Sequence, residues 1–335
     1  MDDASSSRRV VVTSRVFGSG YADPARLLCD HGLIVQRADP THRPTELCIA
    51  LADAVAWIAG TASVGRAHLA AAPHLRVIAR VGVGTDAVDL DAANERGVIV
   101  TNTPGANVEA VADHALGLML VSLRGIVASD RAVRHGEWPN PVGRELAALT
   151  VGIVGFGQVG RAVARRVRNG FGARVLACDP AVAPQVFREC GVEPASMLRV
   201  ARESDVISLH LPGGGMPCVD LALISQMRRN PVLVNTARGD LVDEDAVSGA
   251  LHDGRLGAYA ADVFRQEPLP PGPLLNAPNV TLTPHSAAFT VESIDRMGVA
   301  AAEDVLRVLK GLPPLHRVGL VPNFSEGSAI GVTAG

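Results

Sequence analysis

The sequence predicts an α/β protein with parallel sheets, and three observations carry that prediction. Short β-like runs alternate with helix-length segments along the chain. Those runs are nearly unbroken Val, Ile, Leu and Ala, as strands covered by helices on both faces must be. One of them leads directly into a glycine-rich turn, GFGQVG. At 335 residues the chain has room for two domains and a substantial core. A composition of 47% apolar and 19% charged residues is that of a globular chain. Aromatics contribute only 3%, so the core must be built from small and branched aliphatic side chains, which suit close helix-on-sheet packing.

The first series of strands is read at RRVVVTS near Val11, IVQRA near Val35, AVAWIAG near Trp57, LRVIAR near Val77 and VIVTNT near Ile99. Alanine-rich stretches such as Thr61 to Ala72 lie between them, and a small parallel-sheet domain ends near Pro104-Gly105. A second series opens at TVGIVGFGQVG, Thr150 to Gly160. It continues through ARVLACD (Ala173 to Asp179), DVISLHL (Asp205 to Leu211), PVLVNTA (Pro231 to Ala237), GAYAADV (Gly257 to Val263) and NVTLTPH (Asn279 to His285). A long helix, roughly Val108 to Val133, precedes this series, and another, roughly Thr290 to Lys310, follows it. The Pro- and Gly-rich tail after Gly311 reads as irregular, fraying near Gly327 to Gly335.

Charge and patterning exclude several classes. A net charge of -3 with scattered arginines gives no field for nucleic acid or anionic lipid. The longest apolar stretch, ALGLMLVSL around Leu116 to Leu123, is too short to span a bilayer. No early segment joins a basic start to an apolar core, so no signal peptide is expected. Cys29, Cys48, Cys178, Cys190 and Cys218 form an odd, scattered set without a CxxC. Neither disulfides nor a metal site is expected from them, and a reducing cytoplasm is the expected location.

Gly155, Gly157 and Gly160 form G-x-G-x-x-G immediately after a strand. The first glycine permits the tight turn, the second lets backbone approach a pyrophosphate, and the third lets helix and strand pack closely. Gln158 and Val159 open the helix, whose free N–H groups point at phosphate. Val159, Val163 and Val167 make a stripe facing the sheet. Arg161 either adds a charge there or is a solvated face residue. The next strand ends in Asp179, 19 residues after Gly160. A carboxylate at that place accepts both ribose hydroxyls of NAD and repels the 2′-phosphate of NADP. An Asp before Pro180 also opens a turn, and a glycine turn without a ligand is the alternative reading.

Three later strands end in polar groups, where open α/β sheets place ligands: VNTARGD with Arg238, ADVFRQEP with Glu267 and LTPHSAA with His285. An oxidoreductase acting on a 2-oxo or 2-hydroxy acid needs a cation for the carboxylate, a proton donor to the carbonyl oxygen, and a group that tunes the donor. These three supply that set. On local chemistry alone the plainer readings are stronger: Arg238 a solvated loop arginine, Glu267 an N-cap neighbour and His285 a satisfied core histidine.

GIVGFGQVG, VNTARGDLVDEDAV, GAYAADVFRQEPLP and LTPHSAA, in this order and spacing, resemble the D-isomer-specific 2-hydroxy-acid dehydrogenase family. The upstream VGVGTDAVDLDAANERGVIVTNTPG resembles that family's substrate-side signature, and the resemblance runs from about Val77 to Leu312. It implies a doubly wound Rossmann NAD-binding domain, residues 107–290, inserted into a smaller flavodoxin-like parallel-sheet substrate domain, residues 1–106 and 291–325. Residues 326–335 would be a flexible tail, and the long helices hinges.

The implied reaction is NAD(H)-dependent interconversion of a 2-oxo acid and a D-2-hydroxy acid. His285 would be the general acid/base, Glu267 its partner and Arg238 the clamp on carboxylate and carbonyl. The backbone of Val83 and Gly84 would hold the substrate carboxylate. The implied cofactor contacts are Gly155, Gly157, Gln158, Val159, Gly160, Asp179, His210, Pro212, Thr236, Ala237, Asp262 and Thr103, with Asp262 accepting from the carboxamide. NAD(H) would be preferred over NADP(H), and the chain would form a homodimer through the NAD-binding domain. Thr103 and Asp113 sit in segments that would line the cleft, with weaker claims, and His114, on the long helix after NTPG, lies nearer the hinge.

The chain departs from the family at GGGMPC after LHLP, where relatives carry a threonine-bearing turn. It also departs at Asp113, where a Glu is common, and at HRVGLVPNF, which lacks the usual finish. Nothing points to an added amino-acid-sensing module. An NAD(H)-sensing, corepressor-like binding protein and a phosphite-type dehydrogenase are the rival readings on the same fold.

Overall fold

The computed structural model describes residues 8–319. In chain order the first elements are β1 (Arg9–Val12), α1 (Pro24–Cys29), β2 (Ile34–Arg37), α2 (Pro44–Leu51), β3 (Ala54–Ala59), α3 (Arg66–Ala70), β4 (Val77–Arg80), α4 (Leu90–Glu95) and β5 (Ile99–Thr101). Next come α5 (Val108–Arg124), α6 (Ile126–Arg134), β6 (Thr150–Val154), α7 (Gln158–Phe171), β7 (Arg174–Cys178), α8 (Pro184–Glu189), β8 (Glu193–Pro194), α9 (Met197–Glu203) and β9 (Val206–Leu209). The series ends with α10 (Leu221–Ile224), β10 (Val232–Asn235), α11 (Glu244–His252), β11 (Ala258–Ala261), α12 (Pro273–Asn276), β12 (Val280–Leu282), α13 (Val291–Leu309) and β13 (Arg317–Val318). The chain divides into one unit made of residues up to Pro104 with those from Asp295 onward, and a second, Gly105–Ile294.

The first unit's sheet runs β2-β1-β3-β4-β5 in parallel, the flavodoxin-type doubly wound order, with β13 added beyond β5. β13 pairs antiparallel, Arg317 opposite Thr101, so the sheet is mixed where the sequence reading has it parallel. The tail after Gly311 is likewise not wholly irregular. A two-residue strand has no periodicity to read, and only its partner defines it. The expected tail, 326–335, lies outside the described residues.

Every residue of β3, AVAWIA, is buried, as its unalternating composition requires. The strand also carries a polar knot. Trp57 Nε1 donates to Thr13 Oγ1 at 2.9 Å, and Thr13 Oγ1 meets His42 Nε2 at 2.6 Å. His42 Nδ1 lies 2.9 Å from the Ser63 carbonyl, which only accepts, so Nδ1 carries the proton and Nε2 accepts from Thr13. His68 Nδ1 accepts from Gly65 N–H, leaving its Nε2–H for the His42 carbonyl at 3.0 Å. Every ring nitrogen is satisfied with both imidazoles neutral.

The second unit's sheet runs β8-β7-β6-β9-β10-β11-β12, all parallel. Its order reverses between β7 and β9 around β6, the dinucleotide-binding arrangement. The stripe on α7 faces inward as expected: Val163 and Val167 are buried, and Val159 packs against the same core. The single helix read over Val108 to Val133 is two helices. Gly125 sits at φ 58, ψ 34, a left-handed cap that ends α5, and α6 departs at 61°. α5 buries Ala112, Ala115, Leu118, Met119 and Leu123, whereas α6 buries none of its residues. No single helix among the described residues is long and apolar enough to cross a membrane.

Candidate active site

The glycine turn is shaped by close backbone approach. Gly155 has φ +90, and a Cβ there would stand 2.4 Å from the His210 carbonyl oxygen. A Cβ on Gly160 would stand 2.1 Å from the Gly155 oxygen. Gly157 and Gln158 are exposed, and Gly157 is the N-cap of α7. Asp179, at the end of β7, accepts from Phe156 N–H at 2.8 Å and from Ala181 N–H at 3.0 Å. One oxygen thus braces the glycine turn and the other closes the chain's own turn, as an Asp before Pro180 is expected to do. Each oxygen keeps a further acceptor site. Arg161 is exposed.

At the neighbouring strand ends, two buried polar atoms have no hydrogen-bond partner: His210 Nδ1 after β9 and Thr236 Oγ1 after β10. His210 Nε2 meets Ser208 Oγ at 2.9 Å, and burial pushes the imidazole down to about 3. Such orphaned atoms call for a bound polar group. A glycine turn, an acidic strand end and two unsatisfied polar atoms around one switch point fit a dinucleotide. Pro212 follows His210 into the loop Gly213–Gly215, whose Gly214 N–H donates to Asp240 at 2.5 Å. A Cβ on Gly213 would stand 2.6 Å from the other Asp240 oxygen, so this departure from the family matches an Asp two residues past Arg238.

Arg238, Glu267 and His285 follow β10, β11 and β12, which are adjacent in the sheet. His285 Nδ1 and Glu267 Oε2 are 2.6 Å apart, and Glu267 Oε1 accepts from Phe264 N–H at 3.1 Å. Burial raises the Glu267 pKa, but the His285 hydrogen bond and charge, the Phe264 N–H and the Arg238 charge together hold it below the usual range. The Arg238 turn is held from below by Asn235, which is fully buried. Asn235 accepts from Ala237 N–H and donates to the Arg238 carbonyl at 2.8 Å, while Arg238 Nη1 donates to the Ala237 carbonyl at 2.7 Å. Asn235 stands in VNTARGD but is not among the residues read from sequence; a buried Asn ending an apolar strand was the available signal.

Asp262 is 1% exposed. Its carboxylate accepts from Thr283 Oγ1 at 2.6 Å and from Ser286 N–H and Ala287 N–H at 2.8 Å each, and its carbonyl accepts from His285 N–H at 2.8 Å. The residue therefore anchors the His285 loop, work that the sequence reading did not assign to it. Asp113 pairs with Arg166 of α7 at 2.6 Å, beside Glu109. Val83, Gly84 and Thr103 belong to the first unit. There Thr103, 1% exposed, accepts from Gly82 N–H at 3.0 Å, and Asn102 donates to the Val83 carbonyl at 2.8 Å. Among the described residues no group of three His, Cys, Asp or Glu side chains is arranged for a metal, and the five cysteines are free thiols.

Comparison with known proteins identifies the family. The family model for the D-isomer specific 2-hydroxyacid dehydrogenase, NAD binding domain, matches residues 116–287. The glyoxylate reductase of Korarchaeum cryptofilum is 40% identical over 254 residues, 73% of this chain and 76% of that protein. The D-3-phosphoglycerate dehydrogenase of Mycobacterium leprae is 40% identical over 274 residues, 80% of this chain and 51% of that protein. The chain thus spans about half the length of the phosphoglycerate dehydrogenases it matches. The crystal structure of the TT0316 protein of Thermus thermophilus superimposes with a TM-score of 0.84 at 35% identity, covering 93% of this chain and all (100%) of that one. With its two doubly wound sheets, its glycine turn and this constellation at the strand ends, the chain belongs to the D-isomer specific 2-hydroxyacid dehydrogenase family.

Proposed function

We propose that the protein interconverts a 2-oxo acid and a D-2-hydroxy acid, using NAD(H) in preference to NADP(H). The observation that carries this is the 2.6 Å contact between His285 Nδ1 and Glu267 Oε2 at the end of β12. Glu267 is held ionised, so it accepts from Nδ1–H and leaves Nε2 as the nitrogen that gives or takes the substrate's proton. Arg238, from the next strand but one, offers a rigid fork of donors to a carboxylate and the adjacent carbonyl oxygen. The nicotinamide dinucleotide, when bound, supplies or receives the hydride. Gly155, Gly157 and Gly160 with the start of α7 would hold its pyrophosphate. Asp179 would accept its ribose hydroxyls, with Gln158, Val159, His210, Pro212, Thr236 and Ala237 around it.

NAD(H) preference rests on Asp179, whose charge repels a 2′-phosphate. The test is loss of NADH absorbance against a panel of 2-oxo acids, with NADPH in parallel. Turnover with one or a few acids and NADH favoured is the expected result. Tight NADH binding without turnover of any acid would move the reading to a sensing, corepressor-like protein.

We further propose a homodimer through the second unit, with the cytoplasm as its location. α6 exposes Ile126, Val127 and Val133, and the segment after it exposes Trp138 (82%) and Val142 (100%). The arm is anchored at its far end, where Arg144 bonds buried Asp205 at 2.8 Å. An exposed apolar arm tied at both ends suits a second copy of the chain. Light scattering should give twice the chain mass, and Ile126→Asp with Trp138→Asp should give the monomer. A monomeric wild type would refute this.

A further inference from the structure

We propose that His114, on α5, is a positioning residue for His285, acting through Thr283 and Asp262. The inference rests on the reading of His285 as the proton carrier.

His114 Nε2 is 2.9 Å from Thr283 Oγ1, which is 2.6 Å from Asp262 Oδ1. A carboxylate oxygen only accepts, so the single hydroxyl proton of Thr283 is committed to Asp262. The hydroxyl can then only accept from His114, and Nε2 must carry a proton whether the ring is neutral or charged. Direction is thereby set along the chain: His114 donates to Thr283, and Thr283 donates to Asp262. His114 Nε2 lies 3.7 Å from Asp262 Oδ1, beyond hydrogen-bond reach, so the link to Asp262 runs through Thr283.

What Asp262 then holds is the His285 loop. Its two oxygens receive the N–H groups of Ser286 and Ala287, and its carbonyl receives that of His285. His285 needs this restraint, because its φ of +53 is a left-handed conformation that a non-glycine residue adopts at a cost. The direction of the His285 ring towards Glu267 is thus set by Asp262, and the pose of Asp262 by Thr283 and His114. The neighbouring Asp113 does not compete, being paired with Arg166. Through this one side chain α5 is coupled to the loop that carries the proposed acid/base.

Two variants test the coupling. His114→Leu removes the donor, whereas His114→Gln keeps an N–H near the place of Nε2. Misplacing a reacting group by a fraction of an ångström to an ångström costs about 10- to 100-fold. His114→Leu should therefore lower kcat by about tenfold or more while KM and NADH affinity stay within about twofold, and His114→Gln should recover most of the loss. Equal kcat in His114→Leu and wild type overturns the proposal. So does a parallel loss of NADH affinity that Gln does not rescue, since that marks a merely structural residue.

Long-range proton–nitrogen spectra of ¹⁵N-histidine protein supply a readout that needs no substrate. Wild type should show His114 protonated at Nε2 and His285 protonated at Nδ1. The His285 pattern should become mixed in His114→Leu and return in His114→Gln. A His114 ring protonated only at Nδ1, or a His285 pattern indifferent to His114→Leu, overturns the inference even if no 2-oxo acid is turned over. Absence of wild-type turnover by itself would sink only the proposed reaction.

Discussion

His285 combines a left-handed backbone with a ring held 2.6 Å from Glu267. Replacing it with alanine should lower kcat by about 100- to 10,000-fold, the usual worth of a positioned acid/base, and leave the NADH dissociation constant nearly unchanged. Fluorescence titration with NADH alongside steady-state kinetics separates the two effects, and equal loss in both would place His285 in structure or cofactor capture instead. Arg238→Lys should raise KM for the 2-oxo acid, because a point charge cannot copy a planar fork. An unchanged kcat/KM would remove Arg238 from the site. The residues that end strands were legible because function and secondary structure meet there in short motifs. Asn235 and Thr283 were not, because their partners are neighbours across turns and strands that only the folded register brings together.

On the scale of elements, hydrophobic runs located the principal strands of both sheets, and the glycine turn located the start of α7. The break between α5 and α6 stayed hidden in a continuous apolar-rich stretch, since one glycine inside a helical pattern is weak evidence until its φ is known. β8 and β13, two residues each, are strands only by virtue of a neighbour. The α7–β6 junction gives a direct test of packing. Alanine at position 160 gains up to about 1 kcal/mol of helix propensity over glycine. Its Cβ, however, would meet the Gly155 backbone oxygen at 2.1 Å, so the backbone would have to shift to admit it. Overpacking of this kind costs about 1–3 kcal/mol, so Gly160→Ala should lower stability in urea and weaken NADH binding together. A variant as stable as wild type, binding NADH equally, would show that the junction can relax.

Across the whole molecule, each unit carries a buried neutral imidazole. Burial lowers the pKa of His42, which the Ser63 hydrogen bond and Asp39 only partly oppose and His68 reinforces; burial alone takes His210 to about 3. Both lie below the ordinary value of 6.5, so the unfolded chain binds these protons first as pH falls. The stability they contribute is present above about pH 6.5 and drains as pH drops towards the folded values. Melting temperature should therefore fall steadily between about pH 6.5 and pH 5, before carboxylates such as Asp205 begin to protonate. A flat profile over that window would mean that both rings reach solvent. Saturating NADH should raise the curve at every pH, by mass action on the folded state.

The polar knot under β3 has one more consequence, an optical one. The chain holds two tryptophans, Trp57 at 0% exposure in the first unit and Trp138 at 82% in the second. Trp57 emits from a site closed to solvent with its indole N–H bound to Thr13, and Trp138 from water, so the intrinsic fluorescence is the sum of a blue and a red component. Acrylamide quenches the red component alone. Each unit thus carries its own built-in dye, and unfolding of the first can be followed by colour in a Trp138→Phe background without attaching any label.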